Sequence, residues 1–153
     1  MTDREFVLDT LRKSGRASAL DLRARAVAGA SGTEVIAEED YIPDYPEDGK
    51  RDFSAIPVGS PYRFDGQVYK LWSQHNANGQ PDWTPDKAVS LWDIYHTTDP
   101  SRAKPYLPVQ GARGLYQTSE CMIWTDGLVY RSKRDNNDRT PDVTPDWWEV
   151  VNV

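Results

Sequence analysis

The apolar residues at the start of the chain recur at helical spacing. They are Phe6, Val7, Leu8 and Leu11. Thr2 and Glu5 occupy the positions of a capping box, in which each side chain accepts a hydrogen bond from the other residue's backbone N–H. We therefore predict a short helix that begins after Thr2 and ends at Gly15, because glycine commonly follows the last turn of a helix.

A second short helix is predicted from Ser18, and it ends in the glycine-containing residues 29–32. Residues 33–42 fit either a helical turn or a strand, and their periodicity does not decide between the two. Helices of this length are marginal in water on their own, so both need a packing partner. Two partners remain open: the rest of this chain, or a second copy or larger assembly.

The rest of the chain contains an internal repeat, which covers residues 58–95 and, in shorter form, residues 119–151. Three blocks match in order. Asp65-Gly66-Gln67-Val68-Tyr69-Lys70 corresponds to Asp126-Gly127-Leu128-Val129-Tyr130-Arg131, Thr84-Pro85-Asp86 to Thr140-Pro141-Asp142, and Trp92-Asp93-Ile94 to Trp148-Glu149-Val150. Repetition of this kind predicts two small modules of one fold.

Each module has the pattern of a β meander. An Asp-Gly pair populates the positive φ angles of a tight hairpin turn, and alternating or aromatic runs flank it in both copies. A proline-bearing loop and a last short strand follow. The predicted fold class is α+β, with short N-terminal helices followed by two small all-β modules, each a three-stranded meander. Modules of this size lie near the lower limit of independent folding, so we expect them to pack against each other, against the N-terminal segment or against neighbouring chains.

These patterns divide the chain into five parts. We predict a helical attachment or oligomerisation segment over residues 1–42 and a linker over residues 43–57, where acidic residues and prolines concentrate. The first module covers residues 58–96, a proline- and glycine-bearing connector covers 97–114, and the second, divergent module covers 115–153.

Composition and charge narrow the expected partners. The 153 residues carry a formal net charge of −6 with a pI of about 4.9, which argues against nucleic acid and anionic membranes as partners. Cys121 is the single cysteine, so the chain has no internal disulfide and no cysteine-rich zinc site. No segment has the length and hydropathy of a signal peptide or membrane span. We expect assembly in a reducing cytoplasm and no membrane insertion.

The aromatic residues fall into two groups. Tyr69 with Tyr130, and Trp92 with Trp148, recur at matched places and are predicted to pack in the module cores. The unmatched rings are predicted to be exposed; they are Tyr62, Trp72, Trp83, Trp124 and Trp147.

Exposed flat rings stack on the apolar faces of sugars, and polar side chains nearby bind the hydroxyl groups. The loop between Trp72 and Trp83 supplies such side chains, including His75 and Asn76. An alternative stays open for Trp83, which lies between Pro81 and Pro85 and could pack against its own loop.

Catalytic motifs are absent from the sequence. His75 and His96 lack metal-ligand spacing, no Ser, Cys or Thr lies in a nucleophile motif, and no glycine-rich loop could bind phosphate. The acidic runs resemble solvated surface and not a glycosidase pair. We expect no enzymatic activity, no metal and no cofactor.

The first module carries an ordered set of residues that resembles a known family. The set is Val58-Gly59, Phe64-Asp65-Gly66, Val68-Tyr69-Lys70, His75, Trp83-Thr84-Pro85-Asp86 and Leu91-Trp92. It is similar to the chitin-binding type 3 modules, which belong to carbohydrate-binding module families 5 and 12, in the form found in tail and other virion proteins of phages and prophages. The second copy resembles a variant of these modules.

The resemblance implies that exposed aromatic residues bind polysaccharide. Carried over by position, they are Trp72 and Trp83, with Tyr62 as a third and with His75 and Asn76 as polar neighbours. Arg139 stands where the second module would need the counterpart of Trp83, so sugar binding is expected of the first module.

Together these points predict a non-enzymatic phage or prophage virion protein, a tail or head appendage that contacts cell-surface glycan. The N-terminal segment would bind other virion proteins or form a homo-oligomer, with a trimer favoured because multivalency strengthens weak sugar contacts. The protein would be located in the virion. The alternative is a purely structural capsid decoration or tail connector that binds no sugar.

Overall fold

A single long helix opens the computed structural model, which describes residues 2–153. This helix, α1, covers Asp3–Val27 and begins with the predicted capping box at Thr2 and Glu5. The predicted stop at Gly15 is wrong, as is the start of a second helix at Ser18. One glycine inside a helix costs only about 1 kcal/mol relative to alanine, which residues on both sides of it readily offset.

The segment whose secondary structure remained open is helical. Helix α2 covers Gly32–Ala37, with Ser31 as its N-cap, and a 3-10 turn follows at Glu39–Tyr41. These elements cover one face of the first sheet. Their shared core consists of Leu22, Ala26, Val35, Ile36, Ile42, Val68 and Tyr95. The C-terminal end of α1 therefore belongs to the body of the first module.

The first module is the predicted three-stranded antiparallel meander. Its strands are β1 Pro61–Phe64, β2 Gln67–Leu71 and β3 Trp92–Ile94, in the order β1-β2-β3. Asp65 and Gly66 form the turn between β1 and β2, with φ angles of 48° and 74°. The Asp-Gly signal was therefore sufficient to predict this hairpin.

The second sheet has one strand more than the predicted meander. Its antiparallel strands are β5 Cys121–Ile123, β6 Val129–Ser132 and β7 Trp148–Val151. The additional strand, β4 Lys104–Pro105, lies in the predicted connector and pairs in parallel with β5. Two residues, one of them proline, carry no alternating pattern, so the sequence did not reveal this strand. The α+β class with two small sheets is nevertheless confirmed.

Residues 43–57 pack against the first sheet and are not a free linker. The Tyr45 backbone N–H donates to the Arg63 carbonyl at 2.7 Å, and the Phe53 N–H donates to the His75 carbonyl at 2.7 Å. The side chain of Phe53 is 1% exposed and lies among the aromatic residues of the module core. The proline-rich composition suggested a linker, whereas two aromatic rings anchor the segment.

The two modules contact each other directly. The imidazole of His96, at the end of the first module, stacks on the Tyr116 ring of the second with 3.8 Å between the ring centroids. The Cys121 N–H donates to the carbonyl of Thr97 at 2.8 Å. None of the helices within residues 2–153 is both long enough and apolar enough to cross a membrane.

Candidate functional site

Trp72 is one of two open indoles on the first module. It follows the last residue of β2, where its backbone N–H donates to the Leu91 carbonyl at 3.0 Å, and its side chain is 46% exposed. The guanidinium of Arg113 lies over the ring, with its carbon 4.7 Å from the ring centroid. Arg113 is held there because its Nη2 donates to the Val89 carbonyl at 3.0 Å. One face of the indole is therefore engaged in a cation–π contact.

Trp83 is the second open indole, at 40% exposure. Its position is set by the backbone: its N–H donates to the Gln80 carbonyl at 3.2 Å, and its own carbonyl accepts the Tyr45 hydroxyl at 3.1 Å. The His75 ring lies 6.5 Å from the Trp83 ring between centroids. The surrounding loop thus holds the residue in place and leaves a large part of the ring open to solvent.

His75 connects the Trp83 ring to the module core. Its Nδ1 lies 2.7 Å from the Ser73 carbonyl, an arrangement in which Nδ1–H donates and Nε2 becomes an acceptor. That Nε2 is buried without a hydrogen-bond partner among the described residues. The imidazole also contacts Phe53 and Trp92, at centroid distances of 5.2 and 5.9 Å. His75 is therefore mainly a packing residue beneath the site.

Asn76 is exposed next to His75 and shapes the loop. Its Oδ1 accepts the Asn78 backbone N–H at 2.9 Å, and its backbone forms an isolated antiparallel bridge with Asp52. The polar loop is consequently tied to the segment 43–57, which orders it close to Trp83.

The prediction that Tyr62 is exposed is wrong. The Tyr62 side chain is only 8% exposed, and its ring contacts Phe53 and Trp92 edge-on at 5.3 and 5.8 Å. Burial raises the pKa of its hydroxyl. Tyr62 lies on β1 and contributes to the aromatic core, where the segment 43–57 covers it, so it is not part of the candidate site.

A small cavity of about 90 Å³ lies next to Arg113, the residue that covers one face of Trp72. Its walls include Tyr69, Trp92, Val89 and Leu107, and Arg113 lies at its edge. Burial raises the pKa of Tyr69, so its hydroxyl stays protonated at neutral pH. The cavity is mostly apolar and is closed on one side by the segment after β4.

The second module covers its unmatched rings. The Arg134 guanidinium carbon lies 3.7 Å from the Trp147 ring centroid, and the Arg139 guanidinium lies 5.7 Å away. Trp124 is half-buried and contacts Tyr106 edge-on at 5.1 Å. The predicted exposure therefore holds for Trp72 and Trp83, whereas Trp124 and Trp147 are partly covered.

The recurring rings largely behave as predicted. Tyr69, Trp92 and Trp148 are buried in the cores, at 4%, 3% and 5% exposure. Tyr130 is half-buried, and its hydroxyl donates to the Asp126 carboxylate at 2.7 Å.

The cationic residues that lie over the indoles were not predicted from the sequence. Arg113 belongs to the predicted connector, far along the chain from Trp72, and Arg134 lies thirteen residues before Trp147. Only the tertiary structure brings these side chains onto the rings. Within residues 2–153, no group of three or more His, Cys, Asp or Glu side chains is arranged to hold a metal ion.

Comparison with models of known protein families finds no family that matches this chain, and comparison with curated proteins finds no match either.

Proposed function

We propose that this protein is a non-enzymatic virion component of a phage or prophage, a tail or head appendage whose first module contacts cell-surface glycan. The observation that supports this role is the pair of open indoles, Trp72 and Trp83, at 46% and 40% exposure in a module whose other aromatic rings are largely buried. The resemblance to chitin-binding type 3 modules points to the same two residues.

The physical basis is ring stacking supported by polar side chains. An indole presents a flat apolar face to a pyranose ring, while amide groups such as that of Asn76 bind hydroxyl groups. Such single contacts are weak, so repeated copies on a virion would supply affinity through effective concentration. The N-terminal part of α1 would provide attachment to other virion proteins or to further copies, since its large apolar side chains face solvent.

Substitution of the two indoles tests the proposal. We expect Trp83→Ala and Trp72→Ala each to weaken retention on insoluble chitin or on a glycan array at least about tenfold, which corresponds to about 1.4 kcal/mol. Trp147→Ala is the matched control, because its ring is already covered by Arg134. It should bind like the parent. Each variant is first checked for an unchanged thermal unfolding midpoint.

A purely structural role is the second candidate. The specific observation in its favour is Arg113, which already occupies one face of Trp72. A capsid decoration or tail connector would show no retention of the parent protein on any glycan, together with stable incorporation into particles. That combined result would contradict the glycan-contact proposal.

A further inference from the structure

The N-terminal part of α1 extends away from the modules. None of residues 2–21 is buried, whereas Leu22 and Ala26 are 1% and 4% exposed against the first module. At about 1.5 Å per residue, the free part of the helix is roughly 28 Å long. In proteins most of the stability of a helix comes from the packing of its apolar face, and no residue among 2–153 buries the apolar face of this part.

The exposed part of α1 carries apolar residues on the same side of the helix as Leu22, which packs against the first module. Leu8, Leu11 and Gly15 precede Leu22 at steps of three, four and seven residues, the spacing that keeps side chains on one side of a helix. Leu8 and Leu11 are 39% and 62% exposed. A side chain at Gly15 would meet nothing within 4 Å, so the groove beside it is open.

The charges along this part of the helix are ordered. Its first turns carry the acidic residues Asp3, Glu5 and Asp9, with Arg4 as the one basic residue among them, and the following turns carry the basic residues Arg12, Lys13 and Arg16. Two copies aligned in parallel and in register would place acid beside acid and base beside base. Two copies aligned antiparallel would place each acidic turn beside a basic one, which is favourable by Coulomb's law.

We propose that the N-terminal half of α1 pairs antiparallel with the same helix of a second copy, about a two-fold axis. In the heptad pattern Leu8 then packs against the partner's Leu11, and the stem of Arg4 lies over the partner's Gly15. Glu5 and Arg12 flank the seam on one side, so Glu5 faces the partner's Arg12 in both halves of the interface. Arg12 forms no ion pair within the described residues, so it is available for this contact.

This pair deepens the proposed multivalent role and specifies a dimer instead of the trimer that the sequence favoured. A two-fold interface is self-complementary, as the charge order requires. The dimer would hold the modules of the two copies at opposite ends of a short helical rod. The biological role of this dimer rests on the proposed function. The tests of the dimer measure mass and helix orientation and do not depend on glycan binding.

Size-exclusion chromatography with light scattering gives the first test. We expect twice the monomer mass at high micromolar concentration. Arg12→Glu should shift the protein to monomer by placing two acidic side chains face to face, and Glu5→Arg combined with Arg12→Glu should restore the dimer. Lys13→Glu lies on the opposite side of the helix and should leave the mass unchanged. A parent that stays monomeric or forms trimers overturns the proposal.

Disulfide mapping gives the orientation. In a Cys121→Ser background, an oxidised mixture of the Arg4→Cys and Gly15→Cys variants should form a mixed disulfide dimer, whereas Arg4→Cys alone should remain uncrosslinked. Efficient crosslinking of Arg4→Cys with itself would show parallel helices and refute the antiparallel pair. Loss of glycan retention in a protein that still passes both tests would reject the proposed function and leave this inference intact.

Discussion

Trp92 and Trp148 lie at matching places in the two modules, but only one of the two indole N–H groups has a hydrogen-bond partner within residues 2–153. Trp148 Nε1 donates to the Arg139 carbonyl at 2.9 Å, whereas the buried Nε1 of Trp92 has no partner among the described residues. In the first module, the carbonyl at the corresponding residue, Trp83, accepts the Tyr45 hydroxyl instead. A buried unpaired N–H costs about 1–3 kcal/mol. The two cores are therefore related in sequence but held by different contacts.

Two glycines of the N-terminal segment provide a prediction at the residue scale. A side chain at Gly32 would overlap the backbone carbonyl of His96, so we expect Gly32→Ala to lower the free energy of unfolding by at least about 2 kcal/mol. Gly15 lies within α1 with open space around it, so Gly15→Ala should raise helix stability by about 0.5–1 kcal/mol. Urea unfolding of both variants measures the difference, and equal effects would contradict the close approach at Gly32.

At the scale of elements, the segment 43–57 shows how composition can mislead. Its prolines and acidic residues are typical of linkers, but Tyr45 and Phe53 stack with 5.7 Å between ring centroids and cover the first sheet. The guanidinium of Arg51 lies 4.8 Å from the Tyr45 ring centroid and adds a cation–π contact. The first module therefore includes this segment as a structural layer.

Phe53 and Phe6 allow a matched test of that layer. Phe53 is 1% exposed and Phe6 is 62% exposed. We expect Phe53→Ala to lower the free energy of unfolding by about 3–4 kcal/mol, because it opens a cavity in the aromatic core. Phe6→Ala should change it by less than about 0.5 kcal/mol. Chemical denaturation followed by tryptophan fluorescence measures both; a small effect of Phe53→Ala would mean that residues 43–57 are not part of the core.

The molecule as a whole depends on the junction between its modules, where His96 stacks on Tyr116 and its Nε2–H donates to the Gly114 carbonyl at 2.9 Å. Burial lowers the pKa of His96 from 6.5 to about 4. Asp93 nearby favours the charged imidazole and Lys70 opposes it, but desolvation is the larger effect. The folded state therefore prefers neutral His96.

The sign of the resulting pH dependence follows from that lowered pKa. Neutral His96 makes its full contribution to the free energy of unfolding above the unfolded-state pKa of about 6.5. As the pH falls towards 4 the folded protein resists protonation of His96, so the free energy of unfolding decreases progressively, by up to about 3 kcal/mol. We expect the thermal midpoint of the parent to fall more steeply across this window than that of His96→Gln, which keeps a donor for Gly114 but does not titrate. Parallel curves for the two proteins would exclude His96 as the source.

The local elements could be read from the chain. The capping box at Thr2, the turns at Asp65-Gly66 and Asp126-Gly127, and the burial of three of the four recurring rings were predicted, because each depends on residues that are adjacent in sequence or repeated within it. Of the candidate site, the predicted exposure of Trp72 and Trp83 is confirmed, whereas the predicted exposure of Tyr62 is wrong.

By itself, then, the sequence determined the fold class and the two modules, since turn chemistry, alternation and repetition are properties of neighbouring residues. Only the tertiary structure decided that Tyr62 is covered, that Arg113 lies over Trp72, and that β4 joins the second sheet. Those outcomes depend on contacts between side chains from distant parts of the chain. Such contacts produce no periodic pattern in the sequence, so they cannot be predicted from neighbouring residues.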